Sequence, residues 1–286
     1  MDKPSIVNKF LQEGFLISPK VLDQLTEEKI NQIMPTLKTK NVLVINELEE
    51  PEIAFAISKT EKKKSATVKY VIEYYNKKYS LLRTILSAKL NPVSINNLKP
   101  GSTQTIIGLV SEKTASGYMV EDPTSKTEII YDKHLPPNAI LAFTGRPNET
   151  KFFVTSVFYP DIPLDKKIKE PDTKLAFIFE KDKPRIIVNN EKEIKDFETP
   201  ATITIKKNQE TKILVYNPEA PFSKIQATES LKLRCLPEPK IPSTDYIISE
   251  EPDIFWIIQK ENWTENYKGV KITSGESIEF EPKKSI

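Results

Sequence analysis

Between Thr103 and Pro163 the chain breaks into five short runs: TQTIIGLVSEK, SGYMVEDP, KTEIIYDK, NAILAFTGRP and KFFVTSVFYPDIP. Each is rich in β-branched and aromatic residues, and most are bounded by Gly, Pro or Asn. Five such strands at a spacing of about ten residues read as a small closed β-barrel. An OB-fold, with its five strands, is the architecture that this length admits. The 22 prolines against 7 glycines point the same way, because proline breaks helices and marks strand edges and loops.

The flanks read differently. Ile6, Val7, Phe10, Leu11 and Phe15 line one face of a helix, and Ser18-Pro19 restarts it as N-cap and first helical residue. Val21, Leu22, Leu25, Ile30, Ile33 and Met34 continue the stripe, and Pro35 ends it; NVLVINELEE adds a short strand. SKTEKKKSA, residues 58–66, is a charge run without apolar content, the pattern of a solvated linker. YYNKKYSLLRTILSAKL is an amphipathic helix through Tyr75, Tyr79, Leu82, Ile85 and Leu86. After the barrel, KLAFIFEKD, PRIIVNN, ATITIKKN, TKILVYNP, DYIISEEPDIFWIIQ, GVKITSG and SIEFEPK are strand candidates, with a short helix in IQATESLKLRC. The expected organisation is a helical N-terminal module (1–48), a charged linker (49–66), a helix plus barrel (67–165) and a β-rich C-terminal domain (166–286). The expected fold class is therefore mainly β with a small α-helical module.

Composition limits the chemistry. Lys plus Arg is 42 and Asp plus Glu is 40, a net charge of +2, so no basic excess marks a dedicated nucleic-acid binder. One cysteine, Cys235, excludes a disulfide framework and a cysteine-based zinc site. The single histidine, His134, lies before two prolines in a loop, whereas most hydrolytic metal sites and nucleophilic triads use histidines. No apolar run approaches the ~18 residues of a membrane span, and no signal segment opens the sequence, so a soluble, intracellular chain without membrane contact is expected.

Four stretches carry a resemblance. The helix with N-x-x-Y runs into LNPVSI before the barrel; VEDPTSKTEI, Val120 to Ile129, forms a barrel hairpin; YPDIPL, Tyr159 to Leu164, leaves the last barrel strand; and EEPDIF spans Glu250 to Phe255. In this order they resemble the small subunit of archaeal family-D DNA polymerase, within the B-subunit family of replicative polymerases. The resemblance covers most of residues 1–165 and resumes at 241–275. It implies an OB barrel followed by a calcineurin-like phosphoesterase sandwich, and a large catalytic polymerase subunit as partner. A cytoplasmic, nucleoid-associated setting follows, with DNA met weakly and through the complex.

In that family a two-metal site draws its ligands from D-x-H, G-D-x-x-D, G-N-H-[DE] and G-H-x-H segments. Two such metals would activate a water for attack on phosphorus. Here Glu180 and Asp182 stand near the D-x-H positions, and Gln259 and Glu261 replace the last two histidines. No G-D-x-x-D exists, and about 120 residues follow YPDIPL, where a full phosphoesterase domain needs nearly twice that. The resemblance thus implies a degenerate, shortened phosphoesterase, without cofactor or metal and without exonuclease activity: an accessory subunit. Phe158, Tyr159, Phe255 and Trp256 are candidates for the domain junction or partner contact, against ordinary core packing. The alternative reading is a single-strand-binding OB protein that stacks bases on Tyr118 and Phe152 and meets phosphates with Lys113 and Lys151. A metal-dependent 3′–5′ exonuclease is the third.

Overall fold

Strand alternation builds the barrel. In the computed structural model, which describes residues 3–23, 25, 30, 34, 44–45, 53–58, 67–167, 173–190, 192–195, 197–207, 209–237 and 243–280, the chain is mainly β. It forms two compact units, Met1–Ala54 with Lys206–Glu210, and Phe55–Ile205 with Thr211–Ile286.

In the first unit, helix α1 (Lys3–Gln12) buries Ile6 and Phe10, one turn apart, while Leu11 stays half exposed. The continuous helical face expected through Phe15 is cut short. Gly14 adopts φ +84°, and the Phe15 amide donates to the Phe10 carbonyl at 2.9 Å, a left-handed helix stop. Phe15 still reaches the core with Val21, Leu25, Ile30 and Met34. Strand β1 (Leu16–Ile17) pairs in parallel with β2 (Val44–Ile45), the short strand read in NVLVINELEE. Ser18 caps helix α2 (Pro19–Leu22), accepting from the Val21 amide, with Pro19 at its start. The expected stop at Pro35 lies outside the described residues, as do 59–66 of the charge run.

Strand β3 (Ala54–Ile57), which from Phe55 onward lies in the second unit, falls inside the stretch read as a charged linker. Its four apolar residues are too few to stand out from their polar surroundings. Helix α3 (Val68–Ser87) begins earlier than its amphipathic core, because Thr67 caps it through the Tyr70 amide at 3.3 Å. Its buried stripe is Tyr70, Tyr74, Lys78, Leu82 and Leu86, each a turn apart, and Tyr75, Tyr79 and Ile85 are only half buried. Leu82 and Leu86 of the expected face are buried as read, while Tyr74 and Lys78 take the core places expected for Tyr75 and Tyr79. The Lys78 Nζ donates to the Asn138 carbonyl at 3.0 Å and lies 5.8 Å from the Tyr75 ring centre. That contact satisfies the ammonium while its methylene stem packs as an apolar chain.

Five strands follow: β4 (Gln104–Lys113), β5 (Gly117–Glu121), β6 (Lys126–Ile130), β7 (Ile140–Pro147) and β8 (Lys151–Phe158). They close in the order β4-β5-β6-β8-β7, with β6 and β8 parallel and the other recorded neighbours antiparallel. Alternate residues Ile106, Val110, Tyr118, Val120, Ile129, Leu141, Phe143 and Phe152 fill the interior. The opposite phase of β4 and β7, Ile107, Ile140 and Ala142, is also buried, under Tyr74, Leu82 and Leu86 of α3. Each of those large side chains contributes about 2 kcal/mol on burial.

The C-terminal half is a two-sheet sandwich. One sheet runs β11 (Lys192–Ile194), β10 (Lys183–Val188), β9 (Leu175–Glu180), β17 (Ser277–Phe280). The other runs β15 (Trp263–Tyr267), β16 (Val270–Ser274), β14 (Ile254–Ile257), β13 (Glu210–Tyr216), β12 (Ala201–Lys206), β3. Phe177 of β9 stacks on Trp256 of β14, ring centres 4.9 Å apart, which brings the sheets face to face. Leu214, Tyr216, Phe255 and Ile257 point the other way, toward Ala227 and Leu231 of helix α4 (Lys224–Leu233). Covered on both faces and paired in parallel with β13 and β16, β14 reads as an unbroken apolar run, IFWI. DYIISEEPDIFWIIQ is not one strand. Thr244–Tyr246 is a 3-10 turn, Ile247 makes an isolated bridge to Cys235, and the strand starts only after Pro252-Asp253.

Candidate functional site at the joints of barrel and sandwich

The four stretches that carry the resemblance meet in pairs. LNPVSI ends in a 3-10 turn, Ile95–Asn97, and VEDPTS turns between β5 and β6. Asp122 joins them. One carboxylate oxygen accepts from the Ile95 amide at 2.8 Å; the other accepts from the Thr124 amide and hydroxyl and the Ser125 amide at 2.6–2.9 Å. The Thr124 hydroxyl oxygen accepts from the Asn96 amide at 3.3 Å. Burial pushes the Asp122 carboxyl up, but these hydrogen bonds outweigh it and hold the group below the usual carboxylate range.

YPDIPL and EEPDIF form the second joint, where the barrel's exit meets the sandwich. Arg234, only 2% exposed, donates from Nε to the Pro160 carbonyl at 3.1 Å and from one amino group to Glu251 at 3.0 Å. The Asp161 carboxylate accepts from the Tyr267 hydroxyl at 2.9 Å and pairs with Lys268 at 2.5 Å. Burial, then the Asp161 carboxylate, push the Tyr267 hydroxyl far above its ordinary value. Asp253 is stitched in on several sides. Its carboxylate pairs with Lys166 at 2.9 Å and accepts the Lys212 amide at 2.8 Å; its own amide donates to the Lys212 carbonyl, and its carbonyl accepts from the Lys271 amide. The turn Lys268-Gly269 between β15 and β16 presses on the same joint. Gly269 has φ +80°, and a Cβ there would stand 2.1 Å from the Lys166 carbonyl oxygen. No residue with a side chain fits that approach.

The positions aligned with phosphoesterase ligands are held in other ways. Glu180 ends β9 and pairs with Arg185, which also reaches Glu193 at 3.2 Å. Asp182 follows in a tight β9–β10 turn, where Lys181 and Asp182 both have positive φ. Gln259 clamps a backbone: its carbonyl oxygen accepts the Phe222 amide at 2.8 Å, and its amino group donates to the Phe222 carbonyl at 3.1 Å. The Glu261 carbonyl accepts the Ser274 hydroxyl at 2.6 Å. Among the described residues no three His, Cys, Asp or Glu side chains group as metal ligands.

Tyr159 lies at the second joint with Lys232 of α4 over its ring at 3.8 Å. Phe158 is 39% exposed, while Phe255 and Trp256 are fully buried; Trp256 Nε1 donates to the Gly275 carbonyl at 2.9 Å. On the barrel, Phe152 is in the core, and Tyr118 is buried with its hydroxyl donating to the Lys133 carbonyl and accepting the Leu135 amide. Neither ring offers a face to a base without opening the barrel. Lys113 is exposed at the end of β4. Lys151 pairs with Glu128 at 3.0 Å, and Glu128 also accepts from Thr114 and Ser116. Those hydrogen bonds, with Ser116 and Thr114 first and Lys151 after, hold the Glu128 carboxyl down at about 2. Arg234, Lys78 and the exposed Phe153 were not singled out from sequence. Lys78, Asn138, Ser230, Leu233 and Cys235 line a crevice of about 250 Å³ between α3, the loop before β7 and α4.

No protein-family model and no curated protein matches the chain. Among the described residues no helix is long and apolar enough to cross a membrane. Among solved structures the chain is similar to the telomere capping protein Ten1 from Saccharomyces pombe, with TM-score 0.20 and 19% identity over 22% of this chain and 70% of that one. It is similar in the same measure to the S. pombe Stn1–Ten1 complex, with TM-score 0.20 and 19% identity over 22% of this chain and 66% of the matched chain.

Proposed function

We propose that this chain is a non-catalytic accessory subunit of a family-D-like replicative DNA polymerase, whose OB barrel and shortened phosphoesterase-like sandwich hold the large catalytic subunit. The observation that supports it is the junction of YPDIPL with EEPDIF. At that junction residues of YPDIPL and EEPDIF make buried and part-buried hydrogen bonds and ion pairs that tie barrel to sandwich, and a tied pair of β-domains is a rigid surface for another chain. The barrel order β4-β5-β6-β8-β7 fits an OB-fold. The ligand positions carry a backbone clamp at Gln259 and a surface ion pair at Glu180. Neither supplies the converging carboxylates and imidazoles that two metals need.

Co-expression of the full chain with a family-D catalytic subunit, followed by gel filtration, tests this reading. A stable one-to-one complex is expected, and separate elution of the two chains overturns it. Manganese-dependent nuclease activity that disappears on Glu180→Gln or Asp182→Asn also overturns it, because the sandwich is then an enzyme.

A further inference from the structure

The barrel's outer wall carries one row that the scaffold reading does not use. Strand register aligns Gly117 of β5, Ile130 of β6, Phe153 of β8 and Arg146 of β7 side by side. Their neighbours in the opposite phase, Tyr118, Ile129 and Phe152, fill the core, so this row faces outward. Phe153 is 46% exposed, an aromatic ring on a rigid strand. Arg146 stands directly across from it and is exposed; its Nε donates to the Thr103 hydroxyl at 3.4 Å, and no carboxylate pairs with it among the described residues. Lys151 lies two residues before Phe153 on the same side of the strand, its charge met by Glu128.

We propose that this row binds single-stranded nucleic acid, with a base stacked on the Phe153 ring and a phosphate held by Arg146. The pattern suits that occupant better than a protein face. Gly117 is buried and brings no side chain, and Ile130 is a half-buried apolar neighbour; the remaining strand neighbours on this face are polar, Arg146 across from the ring, Thr155 after it, and Lys151 before it with Glu128 beside that lysine. One ring with an adjacent unpaired cation is a stacking platform with a phosphate contact, and any base has a face for it. Glu128 cancels Lys151, so affinity is modest, with few phosphates neutralised. This inference stands apart from the scaffold reading, since it needs only the chain itself.

The test is fluorescence anisotropy of the full chain with labelled oligothymidylate and oligouridylate about twelve nucleotides long. It is run between about 50 and 200 mM salt. Binding that weakens about tenfold in Phe153→Ala, and is kept in Phe153→Trp, is expected. Arg146→Gln lowers the log–log salt slope by about 0.7, and Glu128→Gln raises it by about as much by releasing Lys151. The two oligonucleotides tell DNA from RNA. Equal thermal melts keep the comparison to folded chains, with Arg146→Gln and Phe153→Trp as the arms least open to misfolding. No binding by the wild type at low salt overturns the proposal, as does Phe153→Ala binding like wild type. A wild-type dimer that takes up no oligonucleotide and that Phe153→Ala dissolves would assign the row to a second copy, and also overturns it.

Discussion

A left-handed backbone position is ordinarily given to glycine or asparagine, because a Cβ there costs about 1 kcal/mol or more. Residue 234 has φ +52° and is an arginine. Its position just past helix α4 aims the guanidinium at the Pro160 carbonyl and Glu251, so the backbone cost is offset by charged hydrogen bonds in a buried setting. Arg234→Ala keeps the strained backbone and strands those partners; a loss of about 3 kcal/mol is expected. Arg234→Gly relaxes the backbone and should recover about 1 kcal/mol of that. Urea unfolding followed by tryptophan emission measures both. A loss below about 1 kcal/mol in the alanine variant means that the joint does not depend on this side chain.

At the scale of elements, the Gln259 clamp acts as one extra rung between β14 and the loop before α4. A carboxylate cannot donate, so Gln259→Glu replaces one hydrogen bond by repulsion with the Phe222 carbonyl, costing about 1–2 kcal/mol at neutral pH. In the folded variant only the protonated acid can donate to that carbonyl, so the pKa of the introduced glutamate is raised above its ordinary value. The stability is retained below the ordinary glutamate value of about 4.3 and lost as pH rises through the raised folded value. Denaturant titrations at acid and neutral pH check this; a deficit independent of pH rules the clamp out. Elements with strong periodicity were legible in the sequence: the barrel runs appear where alternation and turn residues place them, and Ser18-Pro19 opens its helix. Strands β3 and β15 were not. Edge strands are short or polar, and WTENY carries no apolar alternation. On β8 the sequence drew attention to Phe152, but strand phase decides which of two adjacent phenylalanines faces water, and a shift of one residue exchanges core for surface. The motifs around Asp122, Asp161 and Asp253 were visible as words, while their roles were not. Their partners arrive from remote stretches, and Arg234 belongs to no pattern.

At the scale of the whole molecule, helix α3, barrel and sandwich belong to one compact unit. Leu233 of α4 packs against the barrel core, while Ala227 and Leu231 of the same helix pack on the sandwich. Shared side chains of this kind make separate unfolding costly. Both tryptophans, Trp256 and Trp263, sit in the sandwich, so their emission reports that half alone. Amide exchange of β4–β8 reports the other half. The two should give one unfolding free energy; a barrel that opens more than about 2 kcal/mol before the sandwich would show two independent domains instead. One shared unfolding transition is what the proposed scaffold role requires of barrel and sandwich.

Cys235 follows Arg234 directly and lines the crevice between α3, the loop before β7 and α4. It is the chain's sole thiol. Nature has therefore left a single chemical handle beside the seam, and a dye or spin probe attached there would sense any parting of the two halves without engineering away competing sulfhydryls.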